Sequence, residues 1–184
     1  MEDEEKKVYS IIINRYKDMI EKSEAKTISD LKSLINPNDE IIKNKRDEII
    51  SKFQKYEFKN DFLKAAELAE EYVSSLKNIQ LPIEFWLTTN EMMELGGGDK
   101  MDKATFLCSL LIALENQNSY VVVGKNKTLK IFVEYIYDGV YLFDPTKGIK
   151  IYVKDEEEMM KFFEDCESVH KFNDREFFIL KGEG

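Results

Sequence analysis

Few residues in this chain carry chemistry. Leu95 is followed by Gly96-Gly97-Gly98-Asp99-Lys100-Met101-Asp102, a glycine-rich turn that feeds an apolar segment ending near Leu114. A turn of this kind presents the first side chains of a helix at its electropositive end, where thiolates and other anions are favoured. The side chain presented here is a lysine. A Walker phosphate loop needs Gly-Lys-Ser/Thr after a strand. Gly-Asp-Lys-Met follows a predicted helix instead, so the glycines read as turning residues. The chain has one histidine, His170, and two cysteines, Cys108 and Cys166. One histidine excludes an HExxH zinc site and obliges any Cys-His or Ser-His-Asp system to use His170. Cys166 and His170 are four apart and are predicted to share a helical face. That spacing would suit a dyad or half of a metal site. No third ligand accompanies it, so the pair reads as a helix-end cysteine beside a solvated histidine, with no metal. Cys108 lies inside "FLCSLLIAL" and reads as an inert core thiol.

The elements that must position these residues follow from periodicity. Val8, Ile11, Ile12, Tyr16, Met19 and Ile20 predict a helix over residues 5–22. Leu31, Leu34 and Ile35 predict a short helical turn, and Asn38 or Asp39 can cap a helix running to about Phe53. Asn60 or Asp61 can cap a fourth helix carrying Phe62, Leu63, Ala66, Ala69, Tyr72, Val73 and Leu76. Pro82 forces an extended approach, and Trp86, the only tryptophan, reads as a core anchor. Thr88 and Glu91 form a capping box that opens a short helix to Leu95. Asp99 caps the next helix, predicted to reach about Glu115. From Ser119 onward, "SYVVVGK", "TLKIFVEYIYD", "VYLFD" and "IKIYVK" are strand-like, with Asp138-Gly139 as a two-residue hairpin signal. "DEEEMMKFFEDC" predicts a helix with acids in its first turn, and "REFFILK" a closing strand. Helices followed by a mainly antiparallel sheet predict an α+β fold.

Composition narrows the function classes. The chain has 184 residues, 43% of them hydrophobic, enough to build a core rather than remain disordered. Net charge is −9, and no basic stripe with interleaved aromatics is present, which argues against nucleic acid as a partner. No apolar run approaches membrane-spanning length, and "MEDEEKK" is the opposite of a signal-peptide n-region. The expectation is a cytoplasmic protein with reduced cysteines and no membrane association.

Two stretches carry a family resemblance. "LPIEFWLTTNEMMELGGGDKMDKATFLCSLLIAL" and "KIFVEYIYDGVYLFDPT" resemble the core of transglutaminase-like proteins, especially archaeal ones, over roughly Leu81 to Gly148. The resemblance implies a papain-like transglutaminase core over residues 79–184, with residues 1–78 as an N-terminal helical extension. It also implies a Cys-His-Asp triad built on three motifs. The first, Gly-Asp-Cys-x-Asp at a helix start, reads here Gly98-Asp99-Lys100-Met101-Asp102. The second, His-Ala-Trp-Val-Glu on a strand, reads Lys130-Ile131-Phe132-Val133-Glu134. The third, Asp-Pro-Thr, is retained as Asp144-Pro145-Thr146. Lysine therefore stands at the positions that the resemblance assigns to the cysteine and the histidine.

An ammonium at a helix N-terminus is disfavoured by roughly 0.3–1 kcal/mol and needs anions beside it. Asp99, Asp102, Asp144 and Glu134 are the candidates, and the expectation is a charged network around Asp144 joining Lys100 and Lys130. Asp99, Asp102, Glu134 and Trp86 are also candidate groove residues. The reading is a pseudoenzyme without cofactor that binds a protein or peptide partner. The alternative is an enzyme of altered chemistry, with Lys100 as amine nucleophile and Asp144 as acid/base. A cationic neighbour and desolvation would lower the amine pKa, whereas nearby carboxylates would oppose that shift.

Overall fold

The computed structural model describes Lys17, residues 28–79 and residues 86–182. The helix predicted over residues 5–22, Lys17 aside, and the approach through Pro82 lie outside the described residues. In chain order the elements are α1 (Ile28–Ser33), α2 (Glu40–Ile50), α3 (Phe58–Ser75), β1 (Lys77–Asn78), α4 (Thr89–Leu95), β2 (Gly97–Gly98) and α5 (Lys100–Ala113). They continue with β3 (Ser119–Lys125), β4 (Leu129–Ile136), β5 (Val140–Asp144), β6 (Ile149–Val153), α6 (Glu156–Met160), β7 (Ser168–Phe172) and β8 (Phe177–Lys181). Six strands form one antiparallel sheet in the order β6-β5-β4-β3-β7-β8, while β1 and β2 make a separate two-stranded parallel pair. The architecture is α+β, as the order of periodicities predicts.

The helices start where side chains can satisfy free backbone N–H groups. Asp39 accepts from the Ile41 N–H at 2.9 Å and opens α2. The Thr88–Glu91 and Asp99–Asp102 capping boxes open α4 and α5. Helix α3 begins earlier than its sequence indicates, because Asp61 is not its cap. The Asp61 carboxylate lies inside the first turn and reaches back to the Glu57 N–H at 2.8 Å, and Glu57 is the N-cap residue without a side-chain capping bond. Phe62, Ala65, Ala66, Ala69 and Val73 form the buried stripe of α3 at helical spacing.

Helix α5 is buried from Asp102 to Ile112, apolar nearly all round, and is the centre of the larger core. On one side it meets α2 and α3 through Ile42, Ile49, Phe62 and the alanines. On the other it meets the sheet through Val121, Ile131, Val133, Tyr135 and Phe143. Residues 28–75 thus share one hydrophobic core with residues beyond 100. The opposite face of the sheet carries a smaller core, in which Val122, Leu142, Val153 and Val169 pack under Met159 and Phe163.

Three local expectations need correction. The hairpin between β4 and β5 pairs Ile136 with Val140, so its link spans residues 137–139 rather than two residues. Gly139 lies there because the Tyr152 ring is packed against it: an added Cβ would come within 2.5 Å of that ring. The predicted helix "DEEEMMKFFEDC" stops at Met160 and tightens into a 3-10 turn over Lys161–Phe163. Residues 168–172 form a strand inside the sheet, so Cys166 and His170 do not share a helix. Leu110 is fully buried near the C-terminal end of α5. Leu110→Ala is therefore expected to cost about 2–5 kcal/mol and to lower Tm by roughly 5–15 °C in calorimetry.

Candidate functional site

The glycine run has a structural cause at each position. Gly96 ends α4 in the left-handed region, at φ 68° and ψ 25°, and its N–H donates to Met93 O at 3.2 Å. Gly97 and Gly98 then pair with Lys77 and Asn78. A Cβ on Gly97 would lie 2.2 Å from the Lys77 carbonyl oxygen, and one on Gly98 would lie 2.7 Å from Asp102 Cβ. The backbone of β2 must therefore approach both β1 and α5 bare. Immediately after it, Asp99 Oδ1 accepts from the Asp102 N–H at 2.8 Å, and Asp102 Oδ2 accepts from the Asp99 N–H at 2.9 Å.

Lys100, the first residue of α5, donates to Asp144 Oδ2 at 2.8 Å from the end of β5. The other carboxylate oxygen, Oδ1, accepts from the Thr146 N–H at 3.0 Å, the Thr146 hydroxyl at 2.7 Å and the Lys147 N–H at 3.2 Å. The Lys100 ammonium also lies 5.2 Å from the centre of the Phe132 ring, within cation–π range. Burial pushes the Asp144 carboxyl up. The hydrogen bonds from Lys100 and Thr146 outweigh it and hold the group below the usual carboxylate range.

A second lysine, Lys103, adjoins this corner. It is fully buried and donates to Leu76 O at 2.6 Å and Asn78 Oδ1 at 2.7 Å, while Asn78 Nδ2 donates to Thr146 O at 3.4 Å. Burial lowers its pKa. Sequence reasoning did not single out Lys103 or Asn78. The only signal was a lysine interrupting an otherwise apolar helix.

The other candidate residues are distributed differently from the expectation. Lys130 does not join Asp144. Its ammonium donates to Asp165 Oδ1 at 2.5 Å and Phe162 O at 3.1 Å, in the segment that follows α6. The expected network around Asp144 is thus a pair with Lys100. Lys130 is drawn away because residues 161–166 fold back over its end of the sheet, a contact 35 residues distant in sequence. Glu134 is fully buried on the sheet and faces Lys171 at 3.5 Å, and Lys171 also binds Glu156 of α6. Trp86 is half-buried and lines a cavity together with Asp102 and Asp39.

Asp102 is 3% exposed. Burial, followed by the charge of Asp99, pushes its carboxyl up to about 6. Cys108 is fully buried in the larger core, and burial pushes its thiol well up, so it is unreactive. Cys166 belongs to the smaller core. His170 stacks on Phe177 at 5.6 Å, and its Nδ1 is buried without a partner.

The first residue of α5 thus supplies an ammonium held by a carboxylate whose two oxygens are already occupied. Cys108, the cysteine on α5, is sealed inside it. Among the described residues, no group of three or more His, Cys, Asp or Glu is placed to hold a metal ion.

Comparison with known proteins bears on this arrangement. Residues 84–179 match the family described as the CEP76 peptidase-like domain. Among solved structures, Legionella pneumophila LapG is similar at a TM-score of 0.56 and 14% identity, over 86% of this chain and 90% of that chain. An EGTA-treated form gives 0.56 and 14%, over 85% and 87%. A calcium-bound form gives 0.55 and 15%, over 77% of each chain. No curated protein matches. At such identity the LapG likeness is one of fold. Together with the family match it supports the papain-like, transglutaminase-like superfamily. The calcium belongs to that LapG form.

Lys100→Met tests the charged pair. The folded-state pKa of Asp144 is depressed, so its contribution to stability is present above the unfolded value of 3.8 and is lost as pH falls through the folded value. Removing the Lys100 ammonium leaves a buried carboxylate short of one charge-assisted bond. The expected loss at pH 7 is about 1.5–3 kcal/mol, shrinking toward pH 3. In a carboxyl-carbon NMR titration the Asp144 midpoint should move up.

Proposed function

The chain belongs to the CEP76 peptidase-like domain family, and from that premise we propose that it is a catalytically inactive, archaeal-type transglutaminase-like protein. It acts as a binding or scaffolding module for a protein or peptide. The observation that carries this reading is the Lys100–Asp144 pair. Lys100 occupies the start of the helix where the superfamily's motif has its cysteine, and an ammonium there can neither attack as a thiolate nor be activated by a strand histidine. Lys130, at the motif's histidine position, engages Asp165 and offers no imidazole. What persists is the frame: the glycine turn, the capping box, the buried helix and the aspartate at the end of β5.

The alternative, Lys100 as an amine nucleophile with Asp144 as acid/base, meets two physical objections. A carboxylate 2.8 Å away stabilises the ammonium and opposes a neutral amine. Asp144, held below the ordinary carboxylate range with both oxygens engaged, is a poor proton donor near neutral pH. No helix among the described residues is long and apolar enough to cross a membrane. Two free buried cysteines fit a reducing, cytoplasmic setting.

Two measurements bear on the reading. The purified protein should show no peptidase or transamidase turnover above that of Lys100→Ala, and iodoacetamide should change nothing. Thiol-sensitive turnover overturns the pseudoenzyme reading. Trapping with a small aldehyde and borohydride should modify lysines in order of surface exposure. Selective modification of Lys100 would instead favour the amine-nucleophile alternative.

A further inference from the structure

The six-stranded sheet has two outer strands, and the chain guards them unequally. β7 and β8 pair with a register shift between Val169 and His170, an irregularity that twists an edge away from further pairing. β6 pairs with β5 without interruption from Ile149 to Val153. Its one charged side chain, Lys150, is turned to α3, where it binds Glu70 at 2.7 Å and lies 3.6 Å from Glu67. The charge that would repel another strand is thus directed inward. Ile149 and Tyr152 stand 49% and 57% exposed on the same strand. We propose that β6 is the contact edge of a homodimer, in which two copies pair their β6 strands antiparallel about a two-fold axis at Ile151. The proposal adds a second copy as partner and does not depend on the Lys100 corner.

The direction of the backbone groups follows from the ladder. In an antiparallel sheet, successive residues address opposite neighbours. The Ile136 N–H donates to Asn118 O at 3.0 Å, toward β3, so Val133 and Tyr135 address β5. Their partners Phe143 and Tyr141 address β4 in return, which leaves Val140, Leu142 and Asp144 to address β6. Val153, Ile151 and Ile149 answer them. The N–H and C=O groups of Lys150 and Tyr152 therefore point away from the sheet, and among the described residues no strand pairs with them.

These outward groups fix the register of the contact. With Lys150 of one copy opposite Tyr152 of the other, the two residues exchange both backbone bonds, and the two-fold axis supplies the second such pair. A shift in either direction that keeps outward groups face to face sets Tyr152 against Gly148 or Lys150 against Lys154. Those N–H groups already donate, to Asp144 O at 2.9 Å and to Glu158 Oε2 at 2.9 Å. Charge fits the same register. The exposed Lys147 precedes β6, and the exposed Asp155 and Glu157 follow it. Antiparallel pairing brings the basic start of each strand to the acidic end of the other. It also sets Ile149 against Val153 and lays the Lys150 stem beside the Tyr152 ring. The contact is short, below the size of a standard interface, so the dimer is weak and concentration-dependent.

Sedimentation equilibrium of the full chain from about 10 μM to about 1 mM spans weak association of this kind. The average mass should rise toward twice the chain mass. Tyr152→Pro removes an N–H that faces away from β5, so the β5–β6 ladder keeps its bonds. It should raise the dissociation constant roughly tenfold or more, with the circular dichroism spectrum of a folded protein. Cross-linking reads the register separately. In Ile151→Cys the two thiols meet across a non-hydrogen-bonded pair, with Cα atoms ~4.5 Å apart, within disulfide range. In Ile149→Cys each thiol faces Val153 of the other copy instead. Under copper-phenanthroline oxidation, Ile151→Cys should form disulfide dimers roughly tenfold faster than Ile149→Cys, although Ile149 is the more exposed position. Cys108 and Cys166 are buried and stay out of the reaction. A mass that stays monomeric throughout, unaltered association of a folded Tyr152→Pro, or cross-linking of Ile149→Cys as fast as Ile151→Cys would overturn the proposal.

Discussion

Burying α5 on nearly all sides is the constraint on which the rest of the structure depends. A helix sunk between two other helices and a sheet cannot leave its polar groups to water. Each must be answered from within the chain, and the answers fix neighbouring elements. Asp99 and Asp102 close the N-terminus on themselves. The buried Lys103 has two recorded acceptors, the final carbonyl of the α3 exit at Leu76 and the Asn78 side chain. Those contacts hold β1 beside β2, and Gly97 and Gly98 are bare because that approach is close. Lys100 reaches Asp144 and ties the sheet to the same corner. Asp144 cannot be buried without a cation, and a lysine is a poor helix opener without an anion, so each removes the other's penalty.

The same rule operates on the opposite face of the sheet. Glu134 is fully buried, and burial raises its carboxyl despite the Lys171 ammonium beside it. Lys171 is only slightly exposed. It is shared between Glu134 and Glu156 and lies over the rings of Tyr120 and Phe178 at 4.8 and 5.6 Å. One cation thus joins β4, β7, β3, β8 and α6. Buried ion pairs of this kind contribute little net stability but are costly to break. Their consequence here is positional, since α6 has only Met159 and the partly buried Met160 as apolar contacts with the sheet.

The parts legible in the sequence are those set by local rules. β-branched runs marked β3, β4, β5 and β6, and the Thr88–Glu91 capping box and the Asp99 cap marked α4 and α5 to within two residues. What escaped was set by tertiary contact. "SVHKF" is five residues with one β-branched apolar side chain, and it becomes strand β7 because β3 and β8 pair with it on both sides. Lys130 follows motif logic toward Asp144 only until the turn after α6 brings Asp165 within 2.5 Å. The Lys100–Asp144 contact could be anticipated because the resemblance aligned a helix start with a strand end. Lys103 could not, because nothing near it in sequence names a carbonyl as its partner. Trp86 read as a core anchor and is a half-buried cavity wall instead, since solitary tryptophans have no local signature for depth.

The first turn of α5 therefore serves two faces at once. Lys100 and Asp102 are two residues apart, which places them ~200° apart around the helix. Facing the sheet, the helix start presents a cation that Asp144 already neutralises. Facing the α1–α2 link, it presents a carboxylate raised by burial and by Asp99, at the wall of a cavity. A cysteine at position 100 would leave Asp144 without its ammonium and would need a base that Lys130 cannot supply. The lysine neutralises Asp144 on the sheet-facing side, while the capping box with Asp99 holds Asp102 on the other.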